Sequence, residues 1–594
     1  MSSSAAPFEP GELEPYLARL EAGEPFKPVL EDLLNAQPVE RAEALGLILR
    51  EGRGAWLPLL RSGSGEALYV GNALSGTVHV LAALGFRPTV YDTSEERLRL
   101  ERFRSQTLVG VTPRIVVAEN GPRLPFEDDA FQLVVQEAGT PGPPGGWRHG
   151  LGELRRVSRG EVVVTANNRL GYKRSLERRG RFRVLSPARF AHAVLFPPGE
   201  EHTLGGYRKA LRFPGCAPAR ALALYPHSAD FTHVVALDEA APRLHIGPKE
   251  RQNGLKMAAH RLGLFPLLAP SYALVSEEAE LRAATAPRIE RALDELAQRT
   301  GEARPEVDEW IASRGNCVVL QTRAPIGAGD EGRWCVHIAL GPHKHAQVER
   351  HDQVIRELWE RGQPVPVPEP IWSGVVEGLH LTCERRLHGL TAPQRSGEAP
   401  IMRRMLDDVA EHFTRLVEEP PQELDARDFR RHFDWRFDIV AQHAARPETK
   451  RNLERMRDAT RERVLGRAMP LVLQHADLRS KHVQIDDDGR VLGFLDWGSS
   501  RPLDVPYFDL LQLLVHEEKQ ARGGQVGDAW RRLFVGGEPR DWERAALDHY
   551  ARAIGLDPEV ARAIELAFPV FVAAMAESNW DYSRPHWVHR AFGI

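Results

Sequence analysis

Two aspartates that stand nineteen residues apart place the strongest constraint on how this chain can fold. They lie in the stretch LVLQHADLRSKHVQIDDDGRVLGFLDWGSS, where Asp477 and Asp496 each follow a short apolar run typical of a buried strand. Between them, a DDDG turn that ends at Gly489 predicts a β-hairpin. The pattern therefore predicts two carboxylates at two neighbouring strand ends.

Carboxylates in this arrangement suit phosphoryl transfer. That reaction requires a metal ion on the triphosphate, a base aimed at the acceptor hydroxyl, and a cation near the phosphates. Magnesium binds through one or two carboxylates together with phosphate oxygens and water. We predict that Asp477 is the catalytic base, and that Asp496 and His482, five residues after Asp477, are the metal ligands.

The segment HADLRSKHVQIDDDGRVLGFLDWGSSRPLDVPYFDLLQLL resembles the aminoglycoside and macrolide phosphotransferase family. The family pattern is His-x-Asp, four residues, Asn or His, and later Asp-Trp-x, and the resemblance extends over residues 315–590. It implies a bilobal protein-kinase-like fold, ATP and Mg²⁺ as cofactors, and a structural role for Asp509 in PYFDLLQLL.

The part of the chain that resembles the smaller lobe of this family departs from its pattern. The strand RWCVHIAL carries His337 where the family has its phosphate-contacting lysine. Glu349, on the following helix, stands where the ion-pair partner of that lysine belongs, and Lys344, predicted in the intervening loop, is the alternative cation. We therefore expect His337, Lys344 and Glu349 to bind or organise the nucleotide.

Residues 66–170 alternate short apolar strands with amphipathic helices, which predicts a mostly parallel α/β sheet. The motifs ALYVGNALSG, PTVYD and VVAENGPRLPFEDDAFQLVVQE resemble, in order, those of class I S-adenosylmethionine-dependent methyltransferases, and NNRLGYKRSL is similar to methyltransferase-like proteins of cell-surface polysaccharide clusters. This resemblance implies a Rossmann-like fold with S-adenosylmethionine as cofactor. Gly71 would open the cofactor loop, Asp92 would bind the ribose, and Glu119 would lie near the adenine amine.

The predicted fold class is α/β multidomain, a Rossmann-like class I methyltransferase fold followed by a bilobal protein-kinase-like fold. The predicted segments are a helical segment (1–60), the methyltransferase-like domain with its C-terminal extension (61–274), a helical connector (275–312), a kinase-like N-lobe (313–390) and a kinase-like C-lobe (391–594).

The composition of the chain indicates in which compartment it works and which partners it binds. With 42% hydrophobic and 27% charged residues and a net charge of −4, we expect a soluble cytoplasmic protein that binds no nucleic acid. No apolar run approaches about 18 residues, so no transmembrane helix is predicted. Four widely spaced cysteines predict reduced thiols, and the sequence does not indicate an oligomeric state.

Three functions agree with these patterns. The leading one is a bifunctional transferase that phosphorylates a sugar or glycan hydroxyl and carries a methyltransferase-like domain, in cell-surface polysaccharide biosynthesis. The second is an antibiotic or small-metabolite kinase. The third is a pseudoenzyme pair that acts as a binding or assembly module, because Tyr69, Ala73 and His337 replace residues of the two family patterns.

Overall fold

The structure is a computed structural model that describes residues 8–118, 123–137, 147–171, 201–238, 262–313, 315–325, 327–395, 397–444, 446–579 and 586–588. The chain forms two compact units. The first consists of Met1–His345 and Trp372–Cys383, and the second of Ala346–Ile371 and Glu384–Ile594.

A sheet of thirteen strands runs through the first unit. The strands are β1 (Gly65–Val70), β2 (Phe86–Asp92), β3 (Arg114–Val117), β4 (Phe131–Gln136), β5 (Ser158–Asn167), β6 (Arg220–Tyr225), β7 (His233–Ala236), β8 (Ser271–Glu277), β9 (Glu306–Ala312), β10 (Cys317–Arg323), β11 (Trp334–Ala339), β12 (Pro370–Val376) and β13 (Leu379–Arg385). Their order across the sheet is β12-β13-β11-β10-β9-β7-β6-β8-β5-β4-β1-β2-β3.

The two ends of this sheet differ in strand direction. Strands β1 to β5 pair in parallel in the order β3-β2-β1-β4-β5, and β8 is antiparallel to both β5 and β6. From β7 onward, the pairs β7–β9, β9–β10 and β10–β11 are antiparallel. Burial follows direction, since β5 is buried along nearly its whole length whereas β10 alternates buried and half-buried residues.

Helices surround the parallel end and link it to the antiparallel end. They are Glu14–Glu21, Phe26–Asn35, Val39–Leu49, Gly76–Ala83, Glu95–Leu108, Trp147–Arg156, Leu204–Ala210, Phe265–Leu268, Ala279–Ala284 and Arg288–Thr300, with 3₁₀ turns at Glu51–Gly54 and Leu57–Leu59. The helix Arg288–Thr300 ends at Gly301, whose φ of 72° is the left-handed conformation that favours glycine at a helix end.

The chain around the turn Glu51–Gly54 contacts both the parallel and the antiparallel part of the sheet. The Gly52 N–H donates to Oδ1 of Asn316 at 3.3 Å, and the Trp310 indole donates to the carbonyl of Ala55 at 2.9 Å. A Cβ on Gly76 would lie 2.1 Å from the carbonyl oxygen of Arg50, so this packing requires glycine. The N-terminal segment is therefore part of the core of the first unit.

The region predicted as a helical connector, residues 275–312, is only partly helical. Residues 306–312 form strand β9, which pairs with β7 and β10, so the first unit continues past the predicted boundary after residue 312. The region is rich in charged residues, which favoured a helix in the sequence-based prediction. The segment EVDEWIA is nevertheless a strand, because it pairs with strands that are distant in the sequence.

The second unit contains two small sheets and is otherwise helical. The strands are β14 (Leu390–Thr391), β17 (Val483–Ile485) and β18 (Val491–Phe494) in one sheet, and β15 (Val417–Glu423), β16 (Ala468–Gln474) and β19 (Arg501–Asp504) in the other. The helices are Ala399–Phe413, Ala426–Phe429, Trp435–His443, Pro447–Val464, Phe508–Arg522, Val526–Phe534, Asp541–Ala553 and Pro558–Ser578, together with the helix Pro342–Glu360 that begins in the first unit. Short 3₁₀ turns and one π turn occupy Ala392–Arg395, Thr414–Leu416, Arg430–Asp434, Ser480–His482 and Trp497–Ser499.

The helix Pro558–Ser578 forms the centre of the apolar core of the second unit. Fifteen of its residues are buried, and the ring of Phe571 lies 5.8 Å from that of Phe433, measured between centroids. Beside them, Arg436 donates to both carboxylate oxygens of Asp504 at 2.7 and 2.8 Å. This pair holds the end of β19 next to β16, the strand that leads into the predicted site.

Among the described residues, no helix is both long and apolar enough to cross a membrane. All four cysteines are free thiols.

Candidate active site

Two turns meet at the ends of strands β16 and β18. The turn after β16 contains His475, Ala476 and Asp477, and the turn after β18 contains Leu495 and Asp496. His475 is fully buried and its Nε2 donates to the carbonyl of Leu495 at 2.9 Å, while its Nδ1 accepts from the N–H of Asp477 at 3.4 Å. Burial lowers the pKa of His475, so the neutral ring joins the two turns.

Asp509 fixes the backbone of the first turn. Its carboxylate accepts from the N–H groups of His475 and Ala476, both at 2.8 Å. Burial raises the pKa of Asp509 to about 7, against the opposing effect of these two donors. Ala476 has a φ of 65°, a left-handed conformation that is costly for alanine and that the two hydrogen bonds maintain.

Asp477 lies at the junction of the two turns with one oxygen on each side. Its Oδ1 is 2.5 Å from Nη2 of Arg479 and accepts from Nε2 of Gln512 at 3.4 Å. Its Oδ2 lies 3.9 Å from Nδ1 of His482. A carboxylate with about a fifth of its side chain exposed (23%) can accept a proton from a bound hydroxyl.

His482 and Asp496 face each other beside Asp477. His482 donates from Nδ1 to the carbonyl of Asp477 at 2.6 Å, and its Nε2 lies 3.2 Å from Oδ2 of Asp496. Burial, reinforced by Lys481, lowers the pKa of His482 to about 4. Since Nδ1 carries the hydrogen of the neutral ring, Nε2 presents a lone pair to a carboxylate oxygen.

Two acceptors at 3.2 Å repel each other unless a cation lies between them or beside them. One ligand atom each from Asp477, His482 and Asp496 lies within 4.8 Å of the others, as a shared divalent ion requires. Asp496 is also held at a φ of 65°, which is rare outside glycine and is typical of functional positions. These residues fit a divalent cation, and phosphate oxygens and water would complete the coordination of Mg²⁺.

A contact that the sequence did not predict supports the second turn. His351, on the helix Pro342–Glu360, is buried; its Nε2 donates to Oε2 of Glu384 at 2.7 Å, and its Nδ1 accepts from the N–H of Trp497 at 3.0 Å. The imidazole thus holds the residue that follows Asp496. The sequence could not have indicated it, because the same helix also carries His343 and His345.

The three residues predicted to organise the nucleotide phosphates lie in different environments. His337 is on strand β11, as predicted. Lys344 is not in a loop, because the helix starts at Pro342, whose fixed φ favours the first helical turn; Lys344 is therefore its third residue and is buried. Glu349 lies on the exposed side of the same helix, two residues before the buried His351. The phosphate-binding roles of all three stay predictions.

In the second predicted site, at the parallel end of the first sheet, the carboxylate of Asp92 accepts its hydrogen bonds from the protein itself. Asp92 ends β2, and its Oδ2 accepts from the N–H of Ala73 at 2.7 Å and from Nε of Arg97 at 2.8 Å. Its Oδ1 accepts from Nη2 of Arg97 and from the N–H of Ser94. Both oxygens of the buried carboxylate are thus engaged by the protein itself.

The neighbouring carboxylate, at the end of β4, is engaged in the same way. Glu137 pairs with Arg53 at 2.6 Å and accepts from the hydroxyls of Ser75 and Thr77. Gly71 follows β1 as predicted and donates from its N–H to the carbonyl of Tyr91 at 3.2 Å.

Glu119 lies outside the described residues. Asp92 was predicted to bind the ribose of S-adenosylmethionine, but both of its carboxylate oxygens already accept hydrogen bonds from Ala73 and Arg97. This arrangement does not fit that cofactor.

Comparison with known proteins finds a family match in the C-terminal part of the chain. Residues 325–547 match the model of the phosphotransferase enzyme family. Among solved structures, an aminoglycoside phosphotransferase from Streptomyces rimosus is 22% identical, with 47% of this chain and 96% of that chain covered and a TM-score of 0.30. A macrolide 2'-phosphotransferase type I is 19% identical, covering 48% and 88%, with a TM-score of 0.31.

A choline/ethanolamine kinase family protein from Mesorhizobium loti is 18% identical, covering 48% and 97%, with a TM-score of 0.27. No curated protein matches the chain. The C-terminal part has the kinase-like fold. The segment 325–547, which matches the phosphotransferase enzyme family, contains Asp477, His482 and Asp496.

Proposed function

We propose that this protein transfers a phosphoryl group from ATP, with Mg²⁺, to a hydroxyl of a sugar or glycan. The observation that carries the proposal is the pair of facing acceptors, Nε2 of His482 and Oδ2 of Asp496, next to the carboxylate of Asp477. The family match of residues 325–547 supports the reaction class.

Each residue of the site has a defined part in this reaction. Asp477 accepts the proton of the acceptor hydroxyl, while Asp496 and the neutral His482 would hold the divalent ion, which would neutralise charge on the triphosphate. His475, Asp509 and His351 keep the two turns in place through backbone hydrogen bonds.

Release of γ-phosphate from ATP tests the proposal without knowledge of the acceptor, because water can replace the hydroxyl at a reduced rate. We expect Asp477→Asn to lower the Mg²⁺-dependent rate about a thousandfold, the middle of the range for a general base. Asp487→Asn, on the exposed hairpin turn, is the matched control and should keep the wild-type rate. Turnover by Asp477→Asn at the wild-type rate would contradict the assignment.

We propose that the first unit has the fold of a class I methyltransferase but lacks a site for S-adenosylmethionine. The parallel order β3-β2-β1-β4-β5, followed by the antiparallel β8, supports the fold. The engaged carboxylates of Asp92 and Glu137 argue against methyl transfer. A role in cell-surface polysaccharide synthesis rests on the motif resemblance alone.

An antibiotic kinase is the second candidate, since two of the similar structures are an aminoglycoside and a macrolide phosphotransferase. Phosphorylation of kanamycin or erythromycin by the purified protein, with a rate that depends on Asp477, would favour it.

A further inference from the structure

One face of the helix Phe508–Arg522 lies against the turn that carries Asp477. Nε2 of Gln512 donates to Oδ1 of Asp477 at 3.4 Å, and Nε2 of Gln520 donates to Oγ of Ser480 at 3.2 Å. The two glutamines are eight residues apart, close to two helical turns, so His516 lies between them on the same face.

This face contacts a different oxygen of Asp477 from the one that lies nearest His482. Oδ2 of Asp477 is the oxygen near His482, whereas Oδ1 is contacted by Arg479 and Gln512. A base takes a proton only from a group within hydrogen-bond distance, so the acceptor hydroxyl must lie beside the carboxylate of Asp477. The helix face and the turn residues 479–481 therefore border the acceptor.

The charged groups at this border are mainly positive. Arg479 is 2.5 Å from Asp477, Lys481 is exposed on the turn, and Lys519 lies on the helix. Burial, together with the nearby Arg479, Lys519 and Lys481 and against the effect of Asp477, lowers the pKa of His516 to about 3. His516 is thus neutral, and three cations act on the space around it.

The carboxylates of the same helix do not offset these cations. Glu518 is buried and paired with Arg532 at 2.7 Å and with Arg522 at 3.4 Å. Glu517 accepts from Gln520 at 3.3 Å. Asp509, near the start of the helix, accepts from the N–H groups of His475 and Ala476 and does not offset the three cations either.

We propose that the phosphoryl acceptor is an anionic sugar, one that bears a carboxylate or a phosphate group, and not a polycationic antibiotic. The inference rests on the proposed phosphotransferase function and names its substrate class. An acidic group of the acceptor pairs with Arg479, Lys481 or Lys519, which also frees Oδ1 of Asp477 from Arg479 to accept the hydroxyl proton. An ammonium group in that position would be repelled.

Four probes that share one hexose ring test the charge requirement: glucuronate, glucose 6-phosphate, glucose and glucosamine. Transfer of labelled γ-phosphate from ATP is measured for each, with kanamycin as a fifth arm. We expect kcat/KM for an anionic sugar to exceed that for glucosamine about tenfold at low salt, with the preference declining as ionic strength rises. The two anionic arms distinguish a carboxylate acceptor from a phosphate acceptor.

Lys519→Glu should reduce the preference for the anionic sugar about tenfold, mainly through KM for the sugar and with KM for ATP unchanged. Lys450→Glu, the same change on an exposed position of the helix Pro447–Val464, should leave the preference as it is.

A preference for glucosamine or kanamycin, equal rates for all sugars, or no transfer to either anionic sugar overturns the assignment. So does a Lys519→Glu variant that behaves like Lys450→Glu. Hydrolysis of ATP that depends on Mg²⁺ and Asp477 is measured in the same samples. Its presence separates failure of the acceptor assignment from failure of the proposed function.

Discussion

The two predicted sites of this chain, Asp92 in the first unit and Asp496 in the second, both place a carboxylate at the end of a strand, yet they are electrostatically opposite. The side chain of Asp92 is 3% exposed and every oxygen accepts from a donor of the same unit. The side chain of Asp496 is 47% exposed and faces the lone pair of His482.

This difference separates a carboxylate that stabilises the fold from one that we propose binds a metal ion. A buried carboxylate whose oxygens already accept hydrogen bonds from the protein has no acceptor position left for another molecule. Two acceptors held face to face repel each other, and a cation bound beside them would remove that repulsion.

We expect the largest effect from replacement of Asp496, the proposed metal ligand. Asp496→Asn is expected to lower Mg²⁺-dependent phosphoryl transfer by about 4 kcal/mol in activation free energy, about a thousandfold, because it removes a negative oxygen from the metal ion. The rate of ATP turnover at saturating Mg²⁺ measures it. A loss below tenfold would mean that Asp496 does not hold the ion.

On the other side of the comparison, Asp92→Ala should affect stability and leave phosphoryl transfer unchanged. Removal of the carboxylate leaves Arg97 buried without its partner, which typically costs about 3 kcal/mol of unfolding free energy. Denaturant unfolding followed by fluorescence reports the change.

The double variant Asp92→Ala, Arg97→Met is the matched control for this prediction, because it removes the second charge as well. It should recover much of the lost stability, since replacement of a whole buried pair by apolar groups is often neutral. If Asp92→Ala alone were as stable as the wild type, the carboxylate would not be a structural partner of Arg97.

Ligand titration extends the same comparison to whole sites. ATP with Mg²⁺, which binds the native state, should raise the unfolding free energy by about 2.7 kcal/mol at a hundredfold excess over its dissociation constant. S-adenosylmethionine should produce no shift, because Asp92 and Glu137 are already engaged. Thermal unfolding measures both, and stabilisation by S-adenosylmethionine alone would reverse our interpretation of the two sites.

The meeting of Asp477, His482 and Asp496 could be predicted from the sequence because these residues are close in the chain, and their catalytic and metal-binding roles stay predictions. Asp477, His482 and Asp496 lie within twenty residues, joined by one hairpin, so the spacing of the motif nearly determines their meeting. The same reasoning assigned Asp92 to a ribose. Spacing alone could not tell whether a carboxylate faces a ligand or an arginine five residues further on.

Contacts between distant parts of the chain were beyond the reach of sequence patterns. His351 meets Trp497 across 146 residues, and strand β9 is defined by its pairing with β7 and β10. Local propensity indicated a charged helix in both regions. Tertiary packing decided which histidine became buried and which segment became a strand.

The smallest effect we expect concerns the nitrogen ligand of the reactive site. An imidazole nitrogen favours Mn²⁺ over Mg²⁺ more than an amide oxygen does. His482→Asn should therefore lower the ratio of Mn²⁺-supported to Mg²⁺-supported turnover about tenfold, within the range for altered metal-site interactions. An unchanged ratio would place His482 outside the coordination of the ion.

The pH dependence of stability provides an independent test of the same histidine. In the folded protein burial, aided by Lys481, lowers the pKa of His482 from 6.5 to about 4. As the pH falls below 6.5 the unfolded chain takes up the proton first, so the contribution of neutral His482 to stability is present above pH 6.5 and is lost progressively towards pH 4. His482→Asn removes this step. The free energy of unfolding of the variant should consequently decline less over that interval, and equal slopes for variant and wild type would contradict a neutral, lone-pair-presenting His482.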